Sequence, residues 1–296
     1  MAQGERRNPG HVVVSSGVTA GWEPPPRIET RLRVMTWNLW WRFGPWEARQ
    51  PAILETIRRA DADIVCLQES WQTRDGEDQP GGFAADLGYH CAHAAGLGLD
   101  IAPESLGNAV LSRWPITRSE GRSLPAPDDL NELRSVVRAE IDGPRGPIEV
   151  FSTHLNWRLD QSHVRMQQVA ALCEFVQETK SRRTYPPILC GDFNAEPEAD
   201  EIRALTGFSA PPVPKLVFYD AWRAAGGDGP GFTWSRANPF TANDLAPVEC
   251  RIDYVFVGHP HEHGAGEPLA CRVAGDEPVD GVQPSDHYAV VAELRY

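Results

Sequence analysis

The sequence predicts a layered α/β sandwich, and two features of its pattern indicate this fold. Short apolar runs rich in Val, Ile or aromatic residues recur along the chain and are typical of strands. Two longer segments with helical spacing of apolar residues stand between some of these runs, which is the alternation found in α/β proteins. The predicted strands are, in order, LRVMTW, DIVCLQ, NAVLS, SVVRAEI, IEVFST, PPILCG, RIDYVFV and HYAVVAEL.

The first helical segment, PWEARQPAILETIRRAD, places Ile53, Leu54 and Ile57 on one face. The second, VRMQQVAALCEFVQETK, carries a similar apolar stripe. They precede the runs DIVCLQE and PPILCGD, so each helix is predicted to connect two strands. By contrast, SVVRAEIDGPRGPIEVFSTHL predicts two antiparallel strands joined by the connector DGPRGP. Both kinds of connection together favour mixed sheets.

Composition limits the class of protein. The chain has 296 residues, of which 41% are hydrophobic and 23% charged, as in soluble globular proteins. A net charge of -13 disfavours tight, nonspecific binding to a nucleic-acid backbone. No stretch approaches the roughly 20 apolar residues of a membrane span, and no secretory segment is evident. We therefore expect a cytoplasmic protein with no membrane span.

The content of Gly, Pro and charged residues predicts which segments of the chain lie outside the core. Residues 1–29 predict a flexible N-terminal tail, and residues 30–296 a single domain. Three stretches, 71–82, 121–131 and 225–245, predict long surface loops. Six irregularly spaced cysteines without a CxxC pair disfavour a zinc or disulfide framework, and Cys66 and Cys190, which stand inside apolar runs, predict packed thiols.

Polar side chains stand where six apolar segments begin or end, and such strand ends meet at one edge of a layered α/β fold. Their oxygen donors suit Mg²⁺ or Mn²⁺, and their two histidines suit stabilisation of an oxyanion near neutral pH. Cleavage of a phosphoester is the reaction that matches this set. The residues are Asn38, Glu69, His154, Asn156, Asp192, Asn194, Asp253, Asp286 and His287.

Each of these residues alone has an ordinary structural explanation. Asn38 can be a turn residue, Glu69 a solvated strand end or helix cap, and His154 a hydrogen-bonded sheet histidine. Asp192 and Asn194 can form an Asx-turn, although residues i and i+2 of an extended segment also face one side together. Their joint occurrence, in this order, favours a site.

The motifs resemble those of the endonuclease/exonuclease/phosphatase superfamily, in its order and over about residues 32–296. GDxN combined with a C-terminal SDH is specific to it. The resemblance implies a four-layer α/β sandwich, with two mixed β-sheets packed face to face and helices outside, as a single catalytic domain. The matching motifs are TWN (36–38), LQE (67–69), GNAVLSRWP (107–115), STHLN (152–156), GDFN (191–194), RIDYVFV (251–257) and SDH (285–287).

The resemblance implies catalytic roles for five residues. Asp192 is expected to position and deprotonate the attacking water, with Asn194 helping to hold that water and the phosphate. His287 is expected to contact the scissile phosphate and Asp253 to orient His287. His154 matches a histidine found in many branches of the family.

The resemblance also implies a metal site and substrate contacts. Glu69 is the expected principal ligand of Mg²⁺ or Mn²⁺, with Asn38 beside it and Asp286 as a further acid. Arg165 lies in a helix that often buttresses the site. Expected substrate-binding residues are Asn38, Asn156, Asn108 and Arg165.

The resulting hypothesis is a divalent-metal-dependent phosphodiesterase, acting as a monomer on a nucleic-acid or nucleotide-like ester by in-line attack of water. One alternative is a phosphomonoesterase or phospholipase-like enzyme acting on a small or lipid phosphoester. Another is an inactive binding module. The aromatic residues of WWRFGPW (40–46) either stack on bases or sugars or pack a loop against the core.

Overall fold

The computed structural model describes residues 26–97, 102–126, 133–180, 185–243 and 249–296. Most of the predicted N-terminal tail therefore lies outside the described residues. Within them, two six-stranded mixed sheets form the centre of the fold. No helix of the described residues is long and apolar enough to cross a membrane.

The first sheet has the strand order β11-β12-β1-β2-β4-β3. β1 and β2 run parallel, and the other neighbours are antiparallel. Its strands are β1 (Arg31–Asn38), β2 (Ile64–Ser70), β3 (His90–Leu97), β4 (Leu106–Ser112), β11 (Pro268–Ala274) and β12 (Ala289–Arg295).

The second sheet has the order β5-β6-β7-β8-β10-β9, and its one parallel pair is β7 with β8. The predicted hairpin is present, because β6 and β7 pair up to Gly143↔Gly146. Its strands are β5 (Ile116–Ser123), β6 (Ser135–Gly143), β7 (Gly146–His154), β8 (Ile188–Asp192), β9 (Phe218–Asp220) and β10 (Asp253–Gly258).

Helices cover the outer faces of both sheets. The connection from β1 to β2 is α1 (Trp46–Ala60), and that from β7 to β8 is α3 (Ser162–Thr179), as the sequence predicts. A single 3₁₀ turn, Leu159–Gln161, leads into α3. The remaining outer helices are α2 (Gln79–Leu87) and α4 (Asp200–Leu205). The short helix α5 (Ala221–Ala225) instead contacts both sheets and adds Ala221 to the core between them.

Three apolar clusters define four layers and confirm the predicted sandwich. One lies between the sheets and includes Cys66 and Cys190, so these cysteines are packed free thiols. A second joins the outer face of the first sheet to α1 and α2, through residues such as Ile57. A third joins the second sheet to α3 and α4, through residues such as Phe175. Burying these faces is the main stabilising contribution to the fold.

The topology gathers one end of several strands at a single edge. The parallel pairs β1/β2 and β7/β8 end there, whereas β10 and β12 are antiparallel to them and begin there. In the second sheet, Asp192 is in register with both His154 and Asp253. The polar strand ends that the sequence shows are therefore brought together by strand direction alone.

The loop expectations need correction. In the stretch 71–82, Trp71 and Gln79 are buried and residues 79–82 belong to α2. In the stretch 121–131, residues 121–123 are the end of β5, and residues 127–131 lie outside the described residues.

The stretch 225–245 is not simply a surface loop, since Thr233, Asn238 and Thr241 within it are almost fully buried. Residues 244–245 lie outside the described residues. The segment packs against the strand ends described below because its polar side chains bond to buried backbone there, which its Gly, Pro and Asp content does not reveal.

Candidate active site

Asp192 lies at the centre of the site and has 1% of its surface exposed. Its Oδ1 accepts a hydrogen bond from the Asn194 amide at 2.9 Å, and its Oδ2 accepts one from Asn38 Nδ2 at 3.0 Å. His154 Nε2 and His287 Nε2 lie 3.4 and 3.7 Å from the same Oδ2. Burial, followed by the charge of Asp253, raises the Asp192 pKa to about 7.

His287 is paired with Asp253, whose Oδ2 lies 2.9 Å from His287 Nδ1. Burial lowers the pKa of His287, but the negative charges of Asp253 and Asp192 outweigh burial and place this pKa well above its ordinary value. The pair fixes which ring nitrogen faces Asp192, since Nδ1 is held by Asp253. The structure therefore presents the Nε2 of a positively charged imidazole to the centre of the site.

Residues 233–241 support this pair and were not identified from the sequence. The Trp234 ring packs edge-on against His287, with ring centroids 4.7 Å apart. Thr233 Oγ1 accepts the Asp253 amide at 3.3 Å, and Asn238 Nδ2 donates to the Ser285 and Asp286 carbonyls. Their only sequence signal is that polar residues interrupt a Gly- and Pro-rich stretch.

His154 is the second histidine against Asp192, and its surroundings differ from those of His287. Arg134 Nη1 lies 3.0 Å from its Nδ1, and Glu69 Oε1 lies 3.8 Å from the same atom. Burial, with the charges of Arg134 and then His287, places the His154 pKa well below its ordinary value. The two histidines therefore differ in charge at neutral pH, His287 being protonated and His154 neutral. Arg134 was missed because it precedes the run SVVRAEI rather than ending one.

Glu69 and Asp286 form the acidic side of the site. Glu69 Oε1 accepts Asn38 Nδ2 at 3.2 Å, whereas its buried Oε2 has no hydrogen-bond partner among the described residues. Burial raises the Asp286 pKa to about 7, against the charge of His287, which lowers this pKa, and with a smaller contribution from the charge of Glu69, which raises it. A buried carboxylate oxygen without a donor is costly unless a cation lies against it. The donor set thus fits a hard divalent ion.

A second group of donors stands close by. Asp192, Asp253 and His287 offer ligand atoms within 4.8 Å of one another. The His287–Asp253 pairing competes with such a role, because a protonated imidazole has no lone pair for a metal. The Glu69 side therefore suits a cation better.

Asn38 presents its amide nitrogen, not its oxygen, to the two acids. Its Oδ1 accepts the Trp40 amide at 2.9 Å, which sets the orientation of the side chain. An NH₂ group cannot be a metal ligand, so in this orientation Asn38 links Glu69 and Asp192 as a donor.

Asn194 departs from the expected geometry as well. Its φ of 49° takes it out of the extended conformation, and its Nδ2 donates to the Leu155 carbonyl at 3.1 Å. It therefore orients Asp192 through its backbone amide rather than facing the same water. Phe193 packs into the helix-side core.

Asn108 lies at the border of the site, and two other predicted contacts lie away from it. Asn108 lines a small cavity shared with Glu69 and His154, and donates to the Ser135 carbonyl at 2.9 Å. Asn156 is fully buried and bonds to Gln161 and Gln168. Arg165 is buried in an ion pair with Glu201. Asn156 and Arg165 are thus supports for a loop, and the structure does not bring them to the substrate side.

These features define an α/β-sandwich hydrolase-type site in which four acids and two histidines meet at the edge of both sheets. A sequence profile of the Endonuclease/Exonuclease/phosphatase family matches residues 35–287. The chain therefore belongs to this family, whose members hydrolyse phosphoester bonds.

Three similar proteins illustrate the range of the family. Protein angel homolog 2 of Bos taurus is 31% identical over 163 residues, which is 51% of this chain but 29% of that protein. Uncharacterized protein YbhP of Escherichia coli is 32% identical over 183 residues, 58% of this chain and 70% of YbhP. TDP2 of D. rerio, crystallised with a single-strand DNA product, superposes with a TM-score of 0.71 at 19% identity, covering 90% of this chain and 100% of TDP2. The match to the angel homolog thus spans under a third of that protein's length.

Proposed function

We propose that this protein is a Mg²⁺- or Mn²⁺-dependent phosphodiesterase that acts on nucleic-acid or nucleotide-like esters. The observation that carries the proposal is the position of Asp192 between the His287–Asp253 pair and Glu69. A proton acceptor, a positively charged imidazole and a carboxylate whose Oε2 has no hydrogen-bond partner among the described residues are thus connected through Asp192 and Asn38.

Asp192 is the proposed general base. Its Oδ2 accepts the proton of a water that attacks phosphorus in line with the leaving oxygen, while the Asn194 amide holds Oδ1. A pKa of about 7 suits this task, because a base is most effective when its pKa lies near the working pH. Asn38 Nδ2 keeps the reacting oxygen oriented.

His287 is the proposed stabiliser of charge on the phosphoryl oxygens. Its imidazolium Nε2–H points into the site, while Nδ1–H donates to Asp253. Negative charge grows on these oxygens as water attacks, so a positive group already in place lowers the barrier. His154, neutral in this structure, offers a further donor from its Nε2.

Glu69 and Asp286 are the proposed holders of the divalent ion. When bound there, such an ion supplies positive charge for the phosphate and a counter-charge for the buried acids. Asn38 bridges this acidic side to Asp192, and so couples metal binding to the orientation of the base.

The choice of a nucleic-acid or nucleotide-like ester rests on this chain's own residues. The likeness to TDP2 at 19% identity concerns the fold alone. The exposed aromatic side chains of Phe43 and Trp157, in the loops that follow β1 and β7, favour a substrate with flat rings over a small phosphomonoester.

Hydrolysis of bis(p-nitrophenyl) phosphate tests the proposal. We expect turnover with Mg²⁺ or Mn²⁺ and none with EDTA. Asp192→Asn should abolish most of it, whereas Asp228→Asn, the same change at an exposed acid, should not. A panel of single-stranded DNA, RNA, mononucleotides and sphingomyelin then separates diesters from monoesters and lipids. Turnover of monoesters alone, or of no phosphoester with any metal, would refute the proposal.

A further inference from the structure

Two loops leave the site in equivalent ways, one from each sheet. Residues 39–45 connect β1 to α1, and residues 155–161 connect β7 to α3. In the first, the Leu39 amide donates to the Gln68 carbonyl at 2.9 Å, and in the second the Leu155 amide donates to the Asp192 carbonyl at 2.9 Å. Each loop therefore begins one residue beyond a strand-end site residue and starts in a fixed direction.

A buried arginine holds each loop from the fourth residue of the following helix. Arg49 of α1 is 0% exposed and donates five hydrogen bonds, to the carbonyls of Leu39, Trp40, Trp41, Phe43 and Pro284. Arg165 of α3 is 4% exposed and donates to the Asn156 and Arg158 carbonyls at 3.1 and 2.7 Å. Buried cations used in this way make both loops rigid.

The first loop is held in a conformation that bulky residues avoid. Trp40 and Trp41 are consecutive and have φ values of 58° and 34°. Left-handed backbone at non-glycine residues persists only where the surroundings impose it, and it concentrates at functional sites. The Arg49 bonds to the carbonyls of both residues are what impose it here.

Each rigid loop presents one large aromatic side chain to solvent. Phe43 is 50% exposed and Trp157 is 56% exposed. Chain reach places the Trp157 Cα within about 11 Å of that of His154, and the Phe43 Cα within about 18 Å of that of Asn38. Exposing such side chains next to a polar site has no benefit for folding, since burial is what stabilises them.

We propose that Phe43 and Trp157 are stacking surfaces for the bases of a single-stranded nucleic acid whose phosphate lies at Asp192. This inference rests on the proposed function and names the substrate class that the site receives. Base stacking needs no basic groove, which matters in a chain with a net charge of -13. The Arg158 guanidinium lies 5.5 Å from the Trp157 ring and supplies one cation beside it. Rigid loops lower the entropy cost of binding.

A binding experiment with two kinds of ligand tests this inference. The protein is full-length Asp192→Asn with Mg²⁺, so that the ligand is not cleaved. The ligands are a fluorescent single-stranded oligonucleotide and its fully abasic counterpart. Adding Phe43→Ala or Trp157→Ala should raise the Kd for the base-bearing ligand by roughly 5- to 100-fold each. Because the abasic ligand has no base to stack, neither change should raise its Kd further.

Phe208→Ala is the matched control, since Phe208 is 55% exposed and also lies against an arginine, Arg223. It should leave both Kd values unchanged. The inference would be overturned if Phe43→Ala and Trp157→Ala raised the Kd equally for both ligands or for neither. It would also be overturned if the oligonucleotide did not bind. Binding to vesicles of neutral and anionic phospholipid that requires Phe43 and Trp157 would overturn it as well. Metal-dependent hydrolysis of bis(p-nitrophenyl) phosphate by the unchanged protein is the separate readout of the proposed function.

Discussion

The crossover units β1–α1–β2 and β7–α3–β8 have the same backbone plan. Asn38 is in register with Gln68 in the first, and His154 with Asp192 in the second. In both, the next amide bonds to the partner strand, and an arginine at the fourth helical residue holds the loop. The units differ at the second strand. The residue of the second strand that pairs with the last residue of the first strand is the acid Asp192 in the β7–α3–β8 unit. In the β1–α1–β2 unit it is Gln68.

Gln68 is buried between the sheets and donates to Ser152 Oγ at 3.0 Å, so it links the two sheets instead of serving the site. The first unit delivers its acid one residue later. Glu69 has a φ of 52° and lies where the pairing of β2 with β4 loses register. Its side chain is 17% exposed, compared with 1% for Asp192. The same backbone plan thus places a partly exposed acid, Glu69, which suits cation binding, and an almost fully buried acid, Asp192, which suits proton transfer.

The sharpest test of this difference compares the two acids. Asp192→Asn should lower kcat by ~10²- to 10⁴-fold, the range for a lost acid–base group, with little change in the metal concentration for half-maximal rate. Glu69→Gln should raise that metal concentration at least about tenfold, because it removes a charged ligand. Titrations of kcat against Mg²⁺ with bis(p-nitrophenyl) phosphate measure both.

If both variants shift the metal requirement alike, the two acids share one role. An Asp192→Asn protein with a normal rate would remove Asp192 from the chemistry altogether. Asp228→Asn controls for the loss of one negative charge on an acidic chain.

A second prediction concerns the pair that faces Asp192. His287→Ala should lower kcat by at least ~10²-fold. Asp253→Asn should instead move the alkaline limb of the pH–rate profile to lower pH, because Asp253 is the main charge that raises the His287 pKa against burial. Profiles of kcat against pH measure this shift. His259→Ala, at an exposed histidine, is the control, and an unmoved alkaline limb in Asp253→Asn would show that His287 does not act as a cation.

The sequence predicts the central strands and misses the outer ones, for a physical reason. All eight predicted strands lie inside the sheets, whereas β3, β5, β9 and β11 are the four edges and were not predicted. An edge strand is covered on fewer sides and needs no apolar run. β5 is ITRSEGRS and is mostly exposed. Polar edges also protect against pairing with other chains.

The site shows a similar limit. Strand direction and polar strand ends were enough to predict that Asp192, Asp253, His287 and Glu69 lie together. The orientations of the side chains could not be predicted in this way, because they depend on hydrogen bonds that form only in the folded structure. The left-handed φ of Asn194 and the Trp40 amide that turns Asn38 are examples. Short motifs carry no signal for such bonds.

A third prediction compares the two arginines. Arg165→Met leaves Glu201 as a buried, unpaired acid and should cost about 3 kcal/mol of unfolding free energy in urea titrations. A second change, Glu201→Gln, should recover part of this loss. Arg49→Met leaves carbonyls unpaired instead, and should cost about 2 kcal/mol. No substitution of a carboxylate should recover this lost stability, because the five hydrogen bonds that Arg49 donates all go to backbone carbonyls. Recovery of Arg49→Met by Asp286→Asn would contradict this distinction.

The smallest expected effect is the dependence of stability on pH and metal. Asp192 and Asp286 each have a pKa near 7 in the folded protein, compared with about 3.9 in an unfolded chain. Between these values the folded state binds more protons than the unfolded state, so unfolding releases protons and rising pH favours it. Protonated His287, with its raised pKa, acts in the same direction. His154, with its lowered pKa, acts in the opposite direction below its ordinary pKa of 6.5, but it is one group against the two acids. Stability of the metal-free protein should therefore fall from about pH 4 to pH 7 and beyond.

Thermal unfolding in EDTA should show this as a Tm about 3–6 °C lower at pH 8 than at pH 5. Saturating Mg²⁺ should reduce the difference, because a divalent cation binds the ionised acids of the folded state only. In EDTA, the Tm of Asp192→Asn should fall less between pH 5 and pH 8 than that of the unchanged protein. Mg²⁺ should still raise the Tm of this variant at pH 8, since Glu69 and Asp286 remain. A Tm of the metal-free protein that rises over this pH range would contradict the raised pKa values. If Mg²⁺ no longer raised the Tm of Asp192→Asn, the cation would bind at the β7–α3–β8 unit instead of the β1–α1–β2 unit.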